Sequence, residues 1–300
     1  MRLDRFTAAP LALVVFALGL GVSSPARAWC RMTVSQSPPP AGLCPTGTPL
    51  EWRHPCSTYH IFGAGSATLP LTFVRDTFEL SFSQWETIDC TGTTMPGMPN
   101  LEAHLSAEPS QCDRSEYVSL GPNISTVVFV QDWAARDYDA SAYAVTTVWH
   151  NTRTGEIYDV DMEVNEDGRT YADCPPLGCA DGRVDLQNVI THEAGHYFGI
   201  AHTSVPTATM FASSPPGEVM KRILRADDLE AFCTVYPPGH FDGVACDDTP
   251  RGGATLVCGA GDDGCGCSVP HSDRVAAPLA AGTLFGLLTV ALLRRRRRSR

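Results

Sequence analysis

Residues 191–202, THEAGHYFGIAH, hold three histidines, one glutamate and two glycines. On a helix, His192 and His196 are four residues apart, so both imidazoles leave one face about one turn apart. That spacing suits two nitrogen ligands of a single tetrahedral ion. Glu193 stands beside the first histidine, where it reaches a water held by the ion rather than the ion itself. Gly199 follows His196 by three residues, and His202 follows Gly199 by three. Glycine lets the chain leave the helix at positive φ, and a turn there can carry His202 back beneath the same ion. Three neutral nitrogens with a fourth position left open are the donor set of a catalytic Zn2+ ion. A structural zinc closes that position, usually with Cys, and no Cys lies inside the stretch. Glu193 is then placed to take a proton from an attacking water and return it to a leaving amine, the chemistry of peptide-bond hydrolysis. The competing reading is a helix with surface histidines. Five spaced residues, joined to an apolar helix and a turn, weigh against it.

The elements that must hold these residues are readable in outline. The active-site helix is VDLQNVITHEAGHYFG, with Val184, Leu186, Val189, Ile190, Ala194 and Phe198 as its apolar positions. Asp185 is placed to cap its start and Gly199 to stop it. A second helix is expected in RDTFELSFSQWETI, where Phe78, Phe82, Trp85 and Ile88 share one face, and a third in RADDLEAFCTVY, ending at Pro237-Pro238. Strands are expected in STVVFVQDW, AYAVTTVWHN and GEIYDVDMEVN, the last two joined by a hairpin turn at NTRTG. This order implies an α+β fold: a small twisted mixed sheet with the active-site helix, a second packing helix and a C-terminal helix. Residues 29–51, with their Pro/Gly-rich run at 37–49, read as an extended N-terminal arm, with order beginning near Trp52.

Five acidic residues and one Asn crowd the hairpin and its exit: Asp159, Asp161, Glu163, Asn165, Glu166 and Asp167. Asp159, Asp161 and Asp167 are candidate ligands for a structural Ca2+ ion, since hard oxygens suit it. A solvated acidic strand face is the simpler expectation. His54 and His150 have no partner set in the sequence and are expected at the surface.

Both ends look like addresses rather than fold. Residues 1–28 combine a basic start, an apolar core and an Ala-Arg-Ala cleavage site, which reads as a signal peptide. Cys30 then follows as a disulfide partner. Residues 276–293 are uncharged and apolar, long enough to span a bilayer, and Arg294 opens a basic tail, 294–300, that would stay cytoplasmic. The net charge of −11 understates the body, because much of the arginine lies at the ends. An acidic body disfavours a nucleic-acid partner. Twelve Cys in an exported chain read as disulfides. Residues 239–275, rich in Gly, Asp and Cys, read as a disulfide-tied linker. The sequence carries no signal for oligomeric state.

The spacing His192, Glu193, His196, Gly199, His202 with Met210 beyond it is similar to the metzincin signature and its Met-turn. Residues 52–238 resemble the catalytic domain of the matrixin-like zinc peptidases, on the motifs DLQNVITHEAGHYFGIAHT, VTTVWHNTRTGEIYDVDMEVN and RADDLEAFCTVYPP. The resemblance implies a protein or peptide substrate lying extended along an edge strand, with Tyr143, Val145, Thr147 and Trp149 on that strand. It also implies a pocket walled by the helix and by a loop that starts at Phe211. The chain departs from the family at Thr203, usually Ser, and in lacking Pro soon after Met210 and a cysteine-switch propeptide. The last residues resemble a myxobacterial surface-sorting tail, with GCGCS (Cys265, Cys267), a span and an Arg cluster. This implies a chain secreted or held at the cell surface or outer membrane, anchored by the span before, or instead of, processing by a sorting protease. A non-catalytic surface adhesion protein on the same scaffold is the alternative; an intact Glu193 disfavours it, since binding needs no general base.

Overall fold

The computed structural model describes residues 29–35, 43–92 and 96–259, and the backbone of 275–276. The expected signal segment, the Cys265/Cys267 motif, all but the first residue of the expected span and the basic tail lie outside the described residues. Among the described residues no helix is long and apolar enough to cross a membrane. In chain order the elements are β1 (Cys30–Arg31), β2 (Cys56–Ile61), α1 (Leu71–Glu86), β3 (Glu102–Leu105), β4 (Ser125–Val130), β5 (Ala144–His150), β6 (Ile157–Asn165), β7 (Tyr171–Ala172), β8 (Val184–Asp185), α2 (Leu186–Tyr197), β9 (Ile200–Ala201), α3 (Ala226–Val235) and β10 (Val275–Ala276).

The main sheet has the order β10-β5-β6-β4-β2-β3. β2, β3, β4 and β6 run parallel, while β5 is antiparallel to β6 and β10 to β5. The architecture is therefore α+β with a mixed sheet, as the sequence implies. β2 and β3 carry no clear strand signal, because their short runs mix polar and apolar residues. The expected edge strand is also only partly an edge: β10 pairs with Thr147 and Val148, while residues 144–146 carry no outer strand among the described residues.

α1 forms on its apolar stripe. Val74, Phe78, Phe82 and Trp85 are all buried, and Phe82 stacks on Tyr59 of β2 at 4.4 Å between ring centroids. The Trp85 indole N–H donates to the Thr191 carbonyl at 2.9 Å, tying α1 to α2 deep in the core. α2 starts as expected: the Asp185 carboxylate accepts the Asn188 N–H at 2.8 Å.

Three sequence expectations change. The N-terminal arm is part of the core. Trp29, Cys30 and Met32 are buried, β1 pairs with β9, and the Met32 N–H donates to the Gly199 carbonyl at 2.9 Å. Apolar Trp and Met side chains outweigh the Pro/Gly signal that follows them. The segment after Pro238 is likewise bound to the body up to Cys258. Disulfides join Cys246 to Cys56 and Cys258 to Cys112, and the Asn123 N–H donates to the Gly253 carbonyl at 2.9 Å. Third, the acidic face of β6 is not solvated: Asp159, Asp161, Glu163, Asn165 and Glu166 are each at most 4% exposed. Ser115 and Glu116 of the loop before β4 bond Asp161, while Tyr138 and Arg136 bond Glu163, and Ser66, Ala67, Thr68 and Gln131 bond Glu166. Disulfides Cys30–Cys44, Cys90–Cys233 and Cys174–Cys179 complete the described set.

Candidate metal and catalytic site

His192, Glu193 and His196 are buried side chains of α2, which is capped at its C-terminus by Phe198. Gly199 then takes φ = +81°, and a Cβ there would sit 2.8 Å from the Leu50 carbonyl oxygen. Only glycine meets both demands. The turn feeds β9, and His202 returns to the two helical histidines as its spacing implies. The Nε2 atom of His202 lies 3.2 Å from that of His192 and 3.1 Å from that of His196.

The other ring nitrogens of the two helical histidines are engaged. His192 Nδ1 faces the Thr209 carbonyl at 2.6 Å, and His196 Nδ1 faces the Ile200 carbonyl at 2.8 Å. A carbonyl only accepts, so each Nδ1 carries the proton and each Nε2 presents a lone pair to the centre. Burial holds His192 and His202 well below the usual imidazole range and His196 down at about 4. All three are neutral at neutral pH. Zinc at ~2.0–2.1 Å from each of three tetrahedral nitrogens would separate them by roughly 3.3 Å. The donor chemistry and spacing therefore fit zinc, and this is the one three-residue metal-binding group among the described residues.

Glu193 lies in the same cavity. Its carboxylate accepts the Thr146 hydroxyl at 2.6 Å from β5. Burial pushes it up to about 7, with the Thr146 bond opposing. A carboxyl poised there can both take and give a proton near neutral pH.

Met210 is 1% exposed beneath the histidines. The Thr203 N–H donates to its carbonyl at 3.0 Å. Asp228, at the start of α3, holds the turn from below: its carboxylate accepts the N–H groups of Thr209, Met210 and Arg225 at 2.8, 3.0 and 2.8 Å. Gly195 makes room from above, since a Cβ there would lie 2.2 Å from the Met210 sulfur and 2.7 Å from the Trp85 ring. The sequence already held that signal, as the Gly inside HEAGH.

A cavity of about 460 Å³ opens beside Glu193. Tyr143 and Val145 line it, with Thr146 between the strand and the glutamate. Thr147 and Trp149 do not. Thr147 is buried, and the Trp149 indole donates to Asp161 at 3.0 Å. The successive residues 143–146 line the cavity, rather than alternate ones along the whole strand. Ala212, Ser213 and Ser214 form the loop wall. Phe211 instead offers its backbone carbonyl to the Lys221 ammonium. Lys221, Asn188 and Arg169 also line the cavity and had no sequence signal.

The structure does not gather Asp159, Asp161 and Asp167 into one cation cage. Asp167 is exposed. Asp161 accepts the N–H groups of Thr126, Glu116 and Trp149 and the Ser115 hydroxyl, at 3.0–3.1 Å. Asp159 accepts Ser125 and its neighbour's N–H. His150, expected at the surface, is 5% exposed and faces the Val148 carbonyl; β10 runs beside this strand.

Residues 130–237 match the matrixin family model. A stretch of 81 residues is 33% identical to metalloendoproteinase 1-MMP of Arabidopsis thaliana, covering 24% of this chain and 22% of the plant protein. The matched segment runs from the end of β4 past α3 and contains all three histidines, Glu193 and Met210. Over that segment the chain is similar to the matrixins, a family whose members imply zinc-dependent peptidase chemistry.

Proposed function

We propose that this chain is a zinc-dependent endopeptidase acting on extracellular proteins. One observation carries the proposal: three neutral Nε2 atoms, two of them on rings fixed by backbone carbonyls, converge beside a buried carboxyl that burial raises to about 7. His192, His196 and His202 would hold the ion, whose chemistry is to polarise a water and the scissile carbonyl. Glu193 takes the water's proton as the carbonyl is attacked and delivers it to the departing amine. Thr146 fixes the orientation of that carboxyl from the strand. Substrate adds to β5 at residues 144–146 by main-chain hydrogen bonds, beside the cavity that Tyr143 and Val145 line. Water enters at the open side, and the buried surroundings strengthen each charge interaction.

Five disulfides among the described residues support an oxidising compartment, in keeping with the signal-like start and a secreted or surface location. Casein hydrolysis by the purified chain tests the activity. It should vanish on chelation, return on adding zinc, and be lost in Glu193→Ala. Normal hydrolysis by Glu193→Ala would refute the mechanism, and an inert, correctly processed, metal-replete protein would favour the adhesion reading.

A further inference from the structure

We propose that the cavity beside Glu193 selects substrates carrying an acidic side chain next to the cleaved bond, and that Lys221 reads it. This rests on the peptidase function above and names its substrate class.

Lys221 sits in the short 3₁₀ turn Met220–Arg222. It lines the cavity with Asn188, Ser214 and Arg169 and is 4% exposed. Its ammonium has three donors. One goes to the Phe211 carbonyl. Among the described residues no carboxylate forms an ion pair with it. Glu218, Glu193 and Asp228 favour its charge only from further off, against the burial that disfavours it. A buried cation without a paired anion is costly. A methionine would fill the same wall without that cost. The ammonium faces a cavity that a substrate must enter, so an incoming carboxylate is the natural partner.

The surroundings fit such a group. The Asn188 side chain accepts the Lys221 backbone N–H at 2.8 Å and donates to the Ser214 hydroxyl at 3.0 Å. Its contacts hold polar groups on the pocket wall beside the ammonium. Arg169 lies over the Tyr143 ring at 4.8 Å, and its Nε is buried without a hydrogen-bond partner. Two cations thus line one cavity of a chain whose net charge is −11. Of the acids, Asp139 is exposed, Glu218 accepts from Ser214, and Glu193 is committed to the proton. A lysine or arginine entering this pocket would be repelled, and a leucine would leave Lys221 dry and unpaired.

The test digests a proteome-derived peptide library with the zinc-loaded full chain and reads both sides of every cleavage by mass spectrometry. Matched peptides with Glu, Gln, Leu or Lys at the enriched position follow. Glu and Asp should be enriched at one flanking position, with kcat/KM for the Glu peptide at least tenfold above Leu and Lys. Lys221→Met should lower the Glu peptide at least tenfold and raise the Leu peptide. Asn188→Asp keeps an acceptor for the Lys221 N–H but adds a negative charge to the pocket. It should also lower the Glu peptide, and it decides the matter if Lys221→Met fails to fold. Cleavage without acidic enrichment, or an acidic preference that survives both substitutions, overturns the inference and leaves the peptidase function standing. No cleavage of any peptide overturns the peptidase function itself.

Discussion

Two buried groups of titratable side chains sit in this domain, one on α2 and one on β6, and they treat their acceptor atoms in opposite ways. On α2, two histidines give their protons to backbone carbonyls and all three turn lone pairs toward a common centre. On β6, Asp161 spends its oxygens on four donors of the fold. A cluster whose acceptors are already satisfied by its own chain is scaffold, and one whose acceptors converge on open space is a site. Asp159 lies between these cases, because one of its carboxylate oxygens is buried without a partner.

The comparison breaks most visibly at the site. Glu193→Gln should lower kcat by about 10²–10⁴-fold, the range for a general base, with thermal stability and bound zinc unchanged by calorimetry and metal analysis. Loss of metal would instead make Glu193 part of the ligand shell.

Asp228→Ala removes the acceptor from three backbone N–H groups beneath the Met-turn. A loss of about 3–5 kcal/mol is expected in urea unfolding, with zinc affinity weakened about 10–100-fold, as for a group that orients ligands. Unchanged zinc affinity would separate the turn from the metal site.

Asp159→Asn tests the scaffold cluster. Burial pushes Asp159 up to about 7, above its unfolded value of about 3.9. The folded state therefore binds the extra proton between those values, and stability falls as pH rises through that window. The wild type should lose about 4 kcal/mol from this group between pH 4 and 8. The variant should lack that decline and melt higher above pH 7. A destabilised variant whose melting no longer responds to calcium would restore the calcium reading of this face.

Gly195→Ala is the smallest change. It pushes a methyl into Met210 and Trp85 and should cost about 1–3 kcal/mol by overpacking. Met210→Leu alone should cost under about 1.5 kcal/mol.

The legible part of the site was the part that is local in sequence. His192, Glu193, His196, Gly199 and His202 fall within eleven consecutive residues, where helical period and glycine chemistry suffice. Asp185 as cap and the apolar faces of α1 and α2 follow from the same short-range rules. Thr146, Asp228 and Lys221 reach the site through tertiary packing from separate elements, and single residues of those types are common on any surface. The acidic strand was misread for a related reason. Its alternation was correctly seen, but its covering comes from loops distant in the chain, Ser66 to Thr68 and Ser115 to Glu116 among them. β2 and β3 were missed because sheet pairing, rather than side-chain pattern, makes them strands.

The contact between Met32 and Gly199 has a consequence in time. Peptide chains are made from the N-terminus, and the arm at residues 29–35 can pair early with residues 48–50 but lacks its second partner until β9 exists. The Met-turn waits longer, for Asp228. Until then the third histidine has neither its turn nor its floor. The three-histidine centre is therefore among the last things this chain completes, and a half-made copy lacks it.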